Sequence, residues 1–495
     1  MRSRGLAEPR YSRTVSESDS RDDQKELGKL GYAQELLREM GGFSSFAVSF
    51  SIISVITGCI TTYSDAIGPG GPRAIGLGWP LVSAFTLIVA LAMAELSSAF
   101  PTAGALYHWS ALLGGPGWGW LTALMNLVGQ IAVVAAIDLG CARELGAGLG
   151  LSGKAALPLL AVVLAAHALL NITRVKLVAR LNDFSAIVHL LGVALLVGLL
   201  FFFGAGQPLS FLARGDVTNR ADGNTSLGFL NGLILSMFTF TGYDASAHLS
   251  EETRDPERRA PFGILSAVVV SAIAGYALLV ALTLSIRDLD AVTKSDHAAL
   301  FILETVLGPR GGKMGLALAI IAMWFCGLSS ITSASRTLYA FSRDGGLPFS
   351  EKLAKVSTRF RTPANAAMVI AIAAFVLTVM TTLASESAFV IVAQVATMGL
   401  YVSYALPIAL GVVARRRGSW KRRGPFSLGK ASTVVASVAV LWTGFVLVVG
   451  ALPPNLLAGG ILLGSLAAMA ALWQLFAKKR FTGPRVNLEA LERTS

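Results

Sequence analysis

The sequence predicts an all-α polytopic membrane protein with twelve transmembrane helices, and three observations carry that reading. Of its 495 residues 54% are hydrophobic and only 14% charged, against roughly 45–50% and about 25% in an ordinary soluble domain. A soluble core cannot absorb that excess. Apolar runs of roughly 20 residues, the length an α-helix needs to cross a hydrocarbon core, recur along the whole chain. The basic residues, finally, are divided unevenly between the two sets of connecting loops.

In chain order, residues 1–42 are charged and Ser-rich, with no apolar core ahead of a small-residue cleavage site, so they read as a cytosolic tail rather than a cleaved signal. Within it, residues 24–41 could form an amphipathic helix on the membrane surface with Leu27, Leu30, Leu36, Leu37 and Met40 facing down. Residues 43–413 form the expected ten-helix core, with apolar runs at 46–63, 77–99, 118–139, 157–172, 184–203 and 227–249 in the first half. The second half supplies 262–286, 314–341, 364–383 and 389–413. A basic cytosolic loop, 414–430, contains "ARRRGSWKRRG"; spans at 432–452 and 456–476 follow within 431–476, and 477–495 is a cytosolic tail.

With both termini cytosolic, about 32 of the 41 Lys and Arg residues fall on the inner side, the asymmetry that the positive-inside rule describes. The net charge of +12 is therefore topological and implies no nucleic-acid partner. Cys59, Cys141 and Cys326 lie in or at the ends of apolar runs with no C-x-x-C pairing, which indicates neither a disulfide framework nor a metal site.

Two spans are interrupted. Thr57-Gly58 breaks the apolar pattern of the first run, and "FTFTGYDAS" at 238–246 breaks the sixth, five spans later. Interruptions at corresponding places in two halves point to an inverted repeat of five plus five helices with a substrate site near the midplane, helices eleven and twelve being appended. Backbone groups freed by such breaks are tolerated in hydrocarbon only where they line a cavity or meet a ligand. Freed N–H groups at the start of the half-helix near Gly58 suit a carboxylate, and the carbonyls around Phe240 and Thr241 suit an ammonium. Close packing by Gly and Thr is the alternative for either helix taken alone.

Several strings resemble the amino acid, polyamine and organocation superfamily, in the amino acid/choline transporter branch that includes 4-aminobutyrate permeases and bidirectional amino acid transporters. They are "LGYAQELLREMGGFSSFAVSFSIISVITG" at 30–58, "AMAELSSAFPTAGALYHWSALLGGPGWGW" at 92–120, "NLVGQIAVVAAIDLGCA" at 126–142, "FTFTGYDASAHLSEET" at 238–253 and "SRTLYAFSRDGGLP" at 335–348. The resemblance covers about 28–476 and implies the leucine-transporter-like fold with helices 1 and 6 broken. Many superfamily members carry G-x-G at the first break; here Ile56-Thr57-Gly58 has one glycine, so the Thr57 hydroxyl replaces a bare backbone.

The resemblance implies a permease with no cofactor, moving a small neutral amino acid or related amine such as 4-aminobutyrate by alternating access. Its substrate would sit among Ser54, Ile56, Thr57, Gly58, Phe238, Phe240, Thr241 and Gly242. No Lys or Arg lies between 46 and 63 or between 227 and 244 to hold a second carboxylate, so neutral zwitterions are expected over dicarboxylic ones. Asp244, the one carboxylate between 227 and 249, is either a pH-responsive acid, as in some antiporters of the superfamily, or a cap of the second half-helix. His189 aligns with a lysine that replaces sodium in several sodium-independent relatives, and a histidine there could charge near neutral pH; packing is its alternative. Ser329 and Ser330 fall where sodium-coupled relatives ligate the ion, with interhelical hydrogen bonding as the plainer reading. Glu251, Glu252 and Arg343, with Glu95, are expected either to close the inner end or to form a solvated loop face.

Proton-linked transport or exchange without sodium follows as the expectation, in the plasma membrane, by a monomer or a homodimer surrounded by lipid. A choline- or ethanolamine-type organocation is the alternative substrate. An enzyme is not expected: the five histidines are scattered and no H-E-x-x-H occurs. A channel would need a continuous polar lining. "GLGLSGKA" at 148–155 nearly spells a phosphate loop, but Ala155 lacks the magnesium-binding hydroxyl and no strand precedes it.

Overall fold

The computed structural model describes residues 23–485 apart from 26, 205, 385–387 and 454. The expectations for residues 1–22 and for the tail beyond 485 lie outside the described residues. Among the described residues, eleven helices are long and apolar enough to cross a membrane: Gly42–Thr61, Pro72–Ala99, Pro116–Gly148, Gly153–Thr173, Val175–Phe203, Pro256–Leu284, Ala298–Arg343, Ala364–Leu383, Phe389–Arg416, Gly429–Gly450 and Leu456–Leu475. The sixth of the twelve expected spans is in pieces, Thr225–Gly232, Ile234–Thr239 and Ala245–His248, which is why no single helix there reaches membrane length. The spans are numbered one to twelve below in chain order.

Burial sorts them. Within their most apolar stretches, 89% of the first span is buried and 78% of the third, against 17% of the twelfth, so the first and third are central and the twelfth peripheral. Phe201, Phe202 and Leu383 are more than four-fifths exposed. An apolar surface of that kind is untenable in water and ordinary against lipid tails.

The first and sixth spans are laced together. Ser49 Oγ donates to the Tyr243 carbonyl at 2.9 Å and accepts from the Ser246 amide at 3.0 Å, while Ser246 Oγ donates to the Ser45 carbonyl at 2.7 Å. A Cβ on Gly242 would stand 2.1 Å from Ile52 Cγ2, and one on Gly58 would stand 2.1 Å from Thr239 Oγ1. The two backbones approach this closely only because both positions lack a side chain.

The break in the first span is not where the sequence pattern placed it. Ser54 is the non-helical residue, in the left-handed region at φ 45°, and it separates Gly42–Ile53 from Val55–Thr61. Thr57 and Gly58 are helical, and the Gly58 amide already bonds to the Ser54 carbonyl at 2.9 Å. Gly58 is small to admit Thr239, not to open the helix. Span eight also differs. It begins at Ala298 rather than 314 and turns at Gly308, φ 74°, ahead of Pro309, which cannot continue the preceding hydrogen-bond ladder.

The amphipathic segment of the N-terminal tail takes a different place from the one its periodicity suggests. Residues 32–39 are not helical, and Leu27, Leu30, Leu36 and Met40 are buried within the protein. The Met40 amide bonds to the Glu252 carbonyl and the Arg254 amide to the Met40 carbonyl, so the segment pairs with the end of the sixth span.

The contact at Gly58 is testable. Gly58→Ala should lower stability by about 1–3 kcal/mol through overpacking, and Thr239→Ala, which removes the two nearest atoms, should restore part of that loss. Thermal unfolding of the purified protein in detergent measures both. A stabilised Gly58→Ala variant would show that the two spans are not in tight contact.

Candidate functional site

Where the two interruptions meet, backbone groups stand without partners. Among the described residues, the amides of Val55, Ile56 and Thr57 find no acceptor, as expected for the first turn of a helix that restarts after Ser54. The carbonyls of Thr239, Phe240 and Thr241, across the contact, receive no donor from the described residues. All six residues are buried. Neighbouring groups are paired by side chains: Cys326 Sγ donates to the Ile52 carbonyl at 3.2 Å, and the Gly242 amide donates to Tyr404 Oη at 3.1 Å. The unpaired set is thus a cluster of donors and a cluster of acceptors on two segments in contact, with Phe240 packed on the Trp79 ring beside it.

Asp244 does not cap the following helix, since its side chain bonds to none of the amides there. Its Oδ1 accepts from Tyr404 Oη at 2.9 Å, and its Oδ2 accepts from His248 Nε2 at 3.1 Å and Asn126 Nδ2 at 3.4 Å. His248 Nδ1 in turn lies 3.0 Å from Thr337 Oγ1, which also accepts from Gln130. A carboxylate and an imidazole are therefore buried in direct contact at the foot of the interruption. A void of about 10 Å³, the space of one water-sized probe, touches Asp244, Gly242, Ser330 and Ser333.

His189 is fully buried against the first break. Its Nδ1 lies 2.9 Å from the Ser185 carbonyl, which can only accept, so that nitrogen carries the proton. Nε2 lies 2.9 Å from the hydroxyl of Ser54, the left-handed residue itself. Ser54 Oγ also reaches Thr57 Oγ1 at 2.7 Å and the Ala322 carbonyl of span eight at 3.4 Å. Ser329 donates to Asn182, and Ser330 donates to the Cys326 carbonyl and lines the small void beside Ile52, Gly242 and Asp244.

The two ends of the bundle differ. At the end rich in basic loops, Arg343 makes a two-pronged pair with Glu251 at 2.8 and 2.9 Å, and Arg336 holds Glu252 at 2.6 Å. The N-terminal segment covers them: Gln34 donates to the Glu251 carbonyl, Arg38 to the Thr253 carbonyl, and Tyr32 lies 4.0 Å beneath the Arg343 guanidinium. Burial alone would push Glu251 up, but the Arg343 charge and the bonds from Arg343 and the Ala103 amide hold it below its ordinary value. At the opposite end a cavity of about 540 Å³ opens between the first, sixth and tenth spans and runs down to Phe238.

Of the residues singled out from the sequence, the structure brings Ser54, Thr57 and His189 into one contact, Gly58 against the sixth span, and Phe240, Thr241, Gly242 and Asp244 into the facing turn. Ile56 supplies a free amide and Phe238 the floor of the cavity. Glu251, Glu252 and Arg343 meet; Glu95 does not join them, because it pairs with Arg415 at 2.8 Å and accepts from the Leu428 amide and Ser432, tying the second span to the loop 414–430. His248, Tyr404, Asn126 and Arg336 are absent from the sequence-based set. The i,i+4 spacing of Asp244 and His248 was the available signal for the first of these.

A helical bundle with two opposed interrupted spans, closed at one end and open at the other, defines a membrane transport protein rather than an enzyme. The chain belongs to the amino acid permease family, whose sequence pattern it matches over residues 40–473. It is 37% identical to the amino-acid permease BAT1 of Arabidopsis thaliana, over 94% of this chain and 96% of that one. It is 28% identical to the GABA-specific permease of Saccharomyces cerevisiae, over 89% and 79% of the two chains. Its fold resembles the crystal structure of the Eremococcus coleocola manganese transporter, with a TM-score of 0.57 at 15% identity over 89% of this chain and 94% of that one. The protein is accordingly an integral membrane amino acid permease of the amino acid, polyamine and organocation superfamily.

Removing one partner of the Glu251–Arg343 pair should be far more harmful than removing both. Arg343→Ala leaves a buried carboxylate unpaired and should cost about 3–5 kcal/mol, whereas Glu251→Gln with Arg343→Met should recover most of it. Because Glu251 is held low, its contribution is present above the ordinary carboxylate value of about 4.3 and is lost only as pH falls through its lower folded value. Melting temperatures at neutral pH and at pH near 5 check both points. A double variant as unstable as the single one would assign Arg343's role to packing on Tyr32.

Proposed function

We propose that this chain is a secondary transporter for a small neutral amino acid or a related amine such as 4-aminobutyrate, working by alternating access in the plasma membrane with both termini cytosolic. The observation that carries the proposal is the meeting of free buried amides at 55–57 with free buried carbonyls at 239–241. A zwitterion supplies both missing partners, its carboxylate to the amides and its ammonium to the carbonyls. The cavity above Phe238 gives access from one side, and the Glu251–Arg343 and Glu252–Arg336 pairs shut the other. By the bias of basic residues the open side is the outer one. The relatives' names, an amino-acid permease and a GABA-specific permease, support the substrate class.

Coupling is assigned to protons rather than sodium. The buried Asp244–His248 pair lies next to Gly242, so protonation of the pair alters the hydrogen bonds that hold the sixth-span turn, through Tyr404 and Thr337. His189 is the second candidate. It bridges the Ser54 break to span five.

Uptake of labelled 4-aminobutyrate, alanine, glutamate, lysine, choline and ethanolamine into proteoliposomes, with and without pH and sodium gradients, tests the reading. Neutral zwitterions should be taken up best, and uphill uptake should follow a proton gradient and ignore sodium. Asp244→Asn and His248→Gln should each flatten the pH profile while leaving substrate exchange measurable. If His189→Ala flattens it instead, the proton site moves to span five. Sodium-driven uphill uptake, or glutamate as the best substrate, would contradict the proposal.

A further inference from the structure

The cavity above Phe238 has a chemistry of its own. Its lining contains three charged side chains, Asp65, Arg220 and Asp222. Arg220 and Asp222 are bonded to each other, through Nε to Oδ1 at 2.9 Å and through Nη2 to Oδ2. Asp65 finds no hydrogen-bond or ion-pair partner among the described residues. The lining therefore carries one uncompensated negative charge when Asp65 is ionised.

Several side-chain donors of this lining are already engaged. Thr62 Oγ1 donates to the Gly58 carbonyl, Ser64 Oγ to the Asp296 carbonyl, Asn219 Nδ2 to the Thr293 carbonyl, and Gln394 Nε2 to Asn455. Asn231 Nδ2 donates to the Pro453 carbonyl. Its Oδ1, on a side chain more than nine-tenths buried, has no partner among the described residues. Asn231 and Asp65 belong to segments in direct contact, since a Cβ on Gly232 would stand 3.0 Å from the Ala66 carbonyl. The Asp65 carboxyl and the buried Asn231 Oδ1 are thus acceptors without donors among the described residues, with Phe238 and Phe389 as apolar wall.

We propose that this cavity is an ammonium-capture site, in which Asp65 and Asn231 Oδ1 receive the N–H groups of an amine-bearing solute before it descends to the interruption. The role in loading rests on the transport reading above; the binding of an ammonium does not. Asp65 lies beyond the end of the first span, and burial without a partner raises its carboxyl to about 6. It is thus charged at neutral pH and loses its hold on a cation as pH falls below that value. The other ionisable groups facing it are Arg220 and Asp222 from the 219–222 loop. Behind it, the connection to span eight carries Asp290 with Lys294, Asp296, and His297 near Glu144. The lining residues of the sixth and tenth spans contribute no charge.

The test uses a reporter cysteine, Val390→Cys, in the cavity wall of the full-length protein; Cys59, Cys141 and Cys326 are buried and give little background. Its rate of modification by a membrane-impermeant methanethiosulfonate is measured in proteoliposomes with ethylammonium, tetramethylammonium, sodium or propionate. Ethylammonium should protect, and the other three should not, because they lack N–H donors or carry the wrong charge. Protection should fade below about pH 6, and Asp65→Asn should raise the half-protecting concentration at neutral pH by about tenfold, the loss of roughly one charge-assisted hydrogen bond. Asn231→Leu should raise it by a smaller factor. Equal protection by sodium or propionate, or ethylammonium protection that survives both variants, would overturn the proposal. Protection by ethylammonium in a protein that carries no amino acid would leave the capture site standing and sink the transport reading instead.

Discussion

A polypeptide in hydrocarbon must pair its backbone polar groups, and two spans of this protein decline to do so. The first stops at Ser54 and the sixth at Phe240 to Asp244, and the rest of the bundle is arranged around what those stops leave open. Some freed groups are met by side chains from surrounding spans, Cys326 at the Ile52 carbonyl, Tyr404 at the Gly242 amide and Ser49 at the Tyr243 carbonyl. Among the described residues, the amides at 55–57 and the carbonyls at 239–241 are not. Under the proposed function these donors and acceptors are met by a solute that carries both charges.

Charged pairs close one end of the bundle, while a cavity opens at the other. Buried Arg–carboxylate pairs between the end of the sixth span and span eight, overlaid by the N-terminal segment, shut the basic end, and they are geometrically demanding enough to hold one arrangement rather than a range. The opposite mouth is wide and nearly free of such ties. The Asp244–His248 pair lies between the interruption and the closed end. It is bonded both to Tyr404, which holds the sixth-span turn, and to Thr337 on the span that carries Arg336 and Arg343.

Much of this was legible in the sequence. Composition and run length give the twelve spans, and polar interruptions five spans apart give the two broken helices. The break at Ser54 was not legible, because serine is no helix breaker and the neighbouring Thr57-Gly58 looks like one; the strain at Ser54 is held by His189, Thr57 and Ala322, contacts up to 268 residues away in sequence. Leu27, Leu30 and Leu36 carry a periodicity that lipid and a protein groove satisfy equally well. Glu95 finds Arg415 and Ser432 more than 300 residues on, which no local pattern announces. The Asp244–His248 pairing was within reach, its spacing obscured by the broken helix around it.

The central claim is that the mouth lined by Asp65 and the end sealed by Arg343 open in alternation. Distances between spin labels measure it most directly, with one pair across the mouth, Ala221 with Val390, and one across the sealed end, Ala33 with Thr358, in liposomes with and without the transported solute. The mouth distance is predicted to shorten in the same population in which the distance at the sealed end lengthens. Both distances unchanged by a solute that is demonstrably carried, or both increasing together, would contradict it.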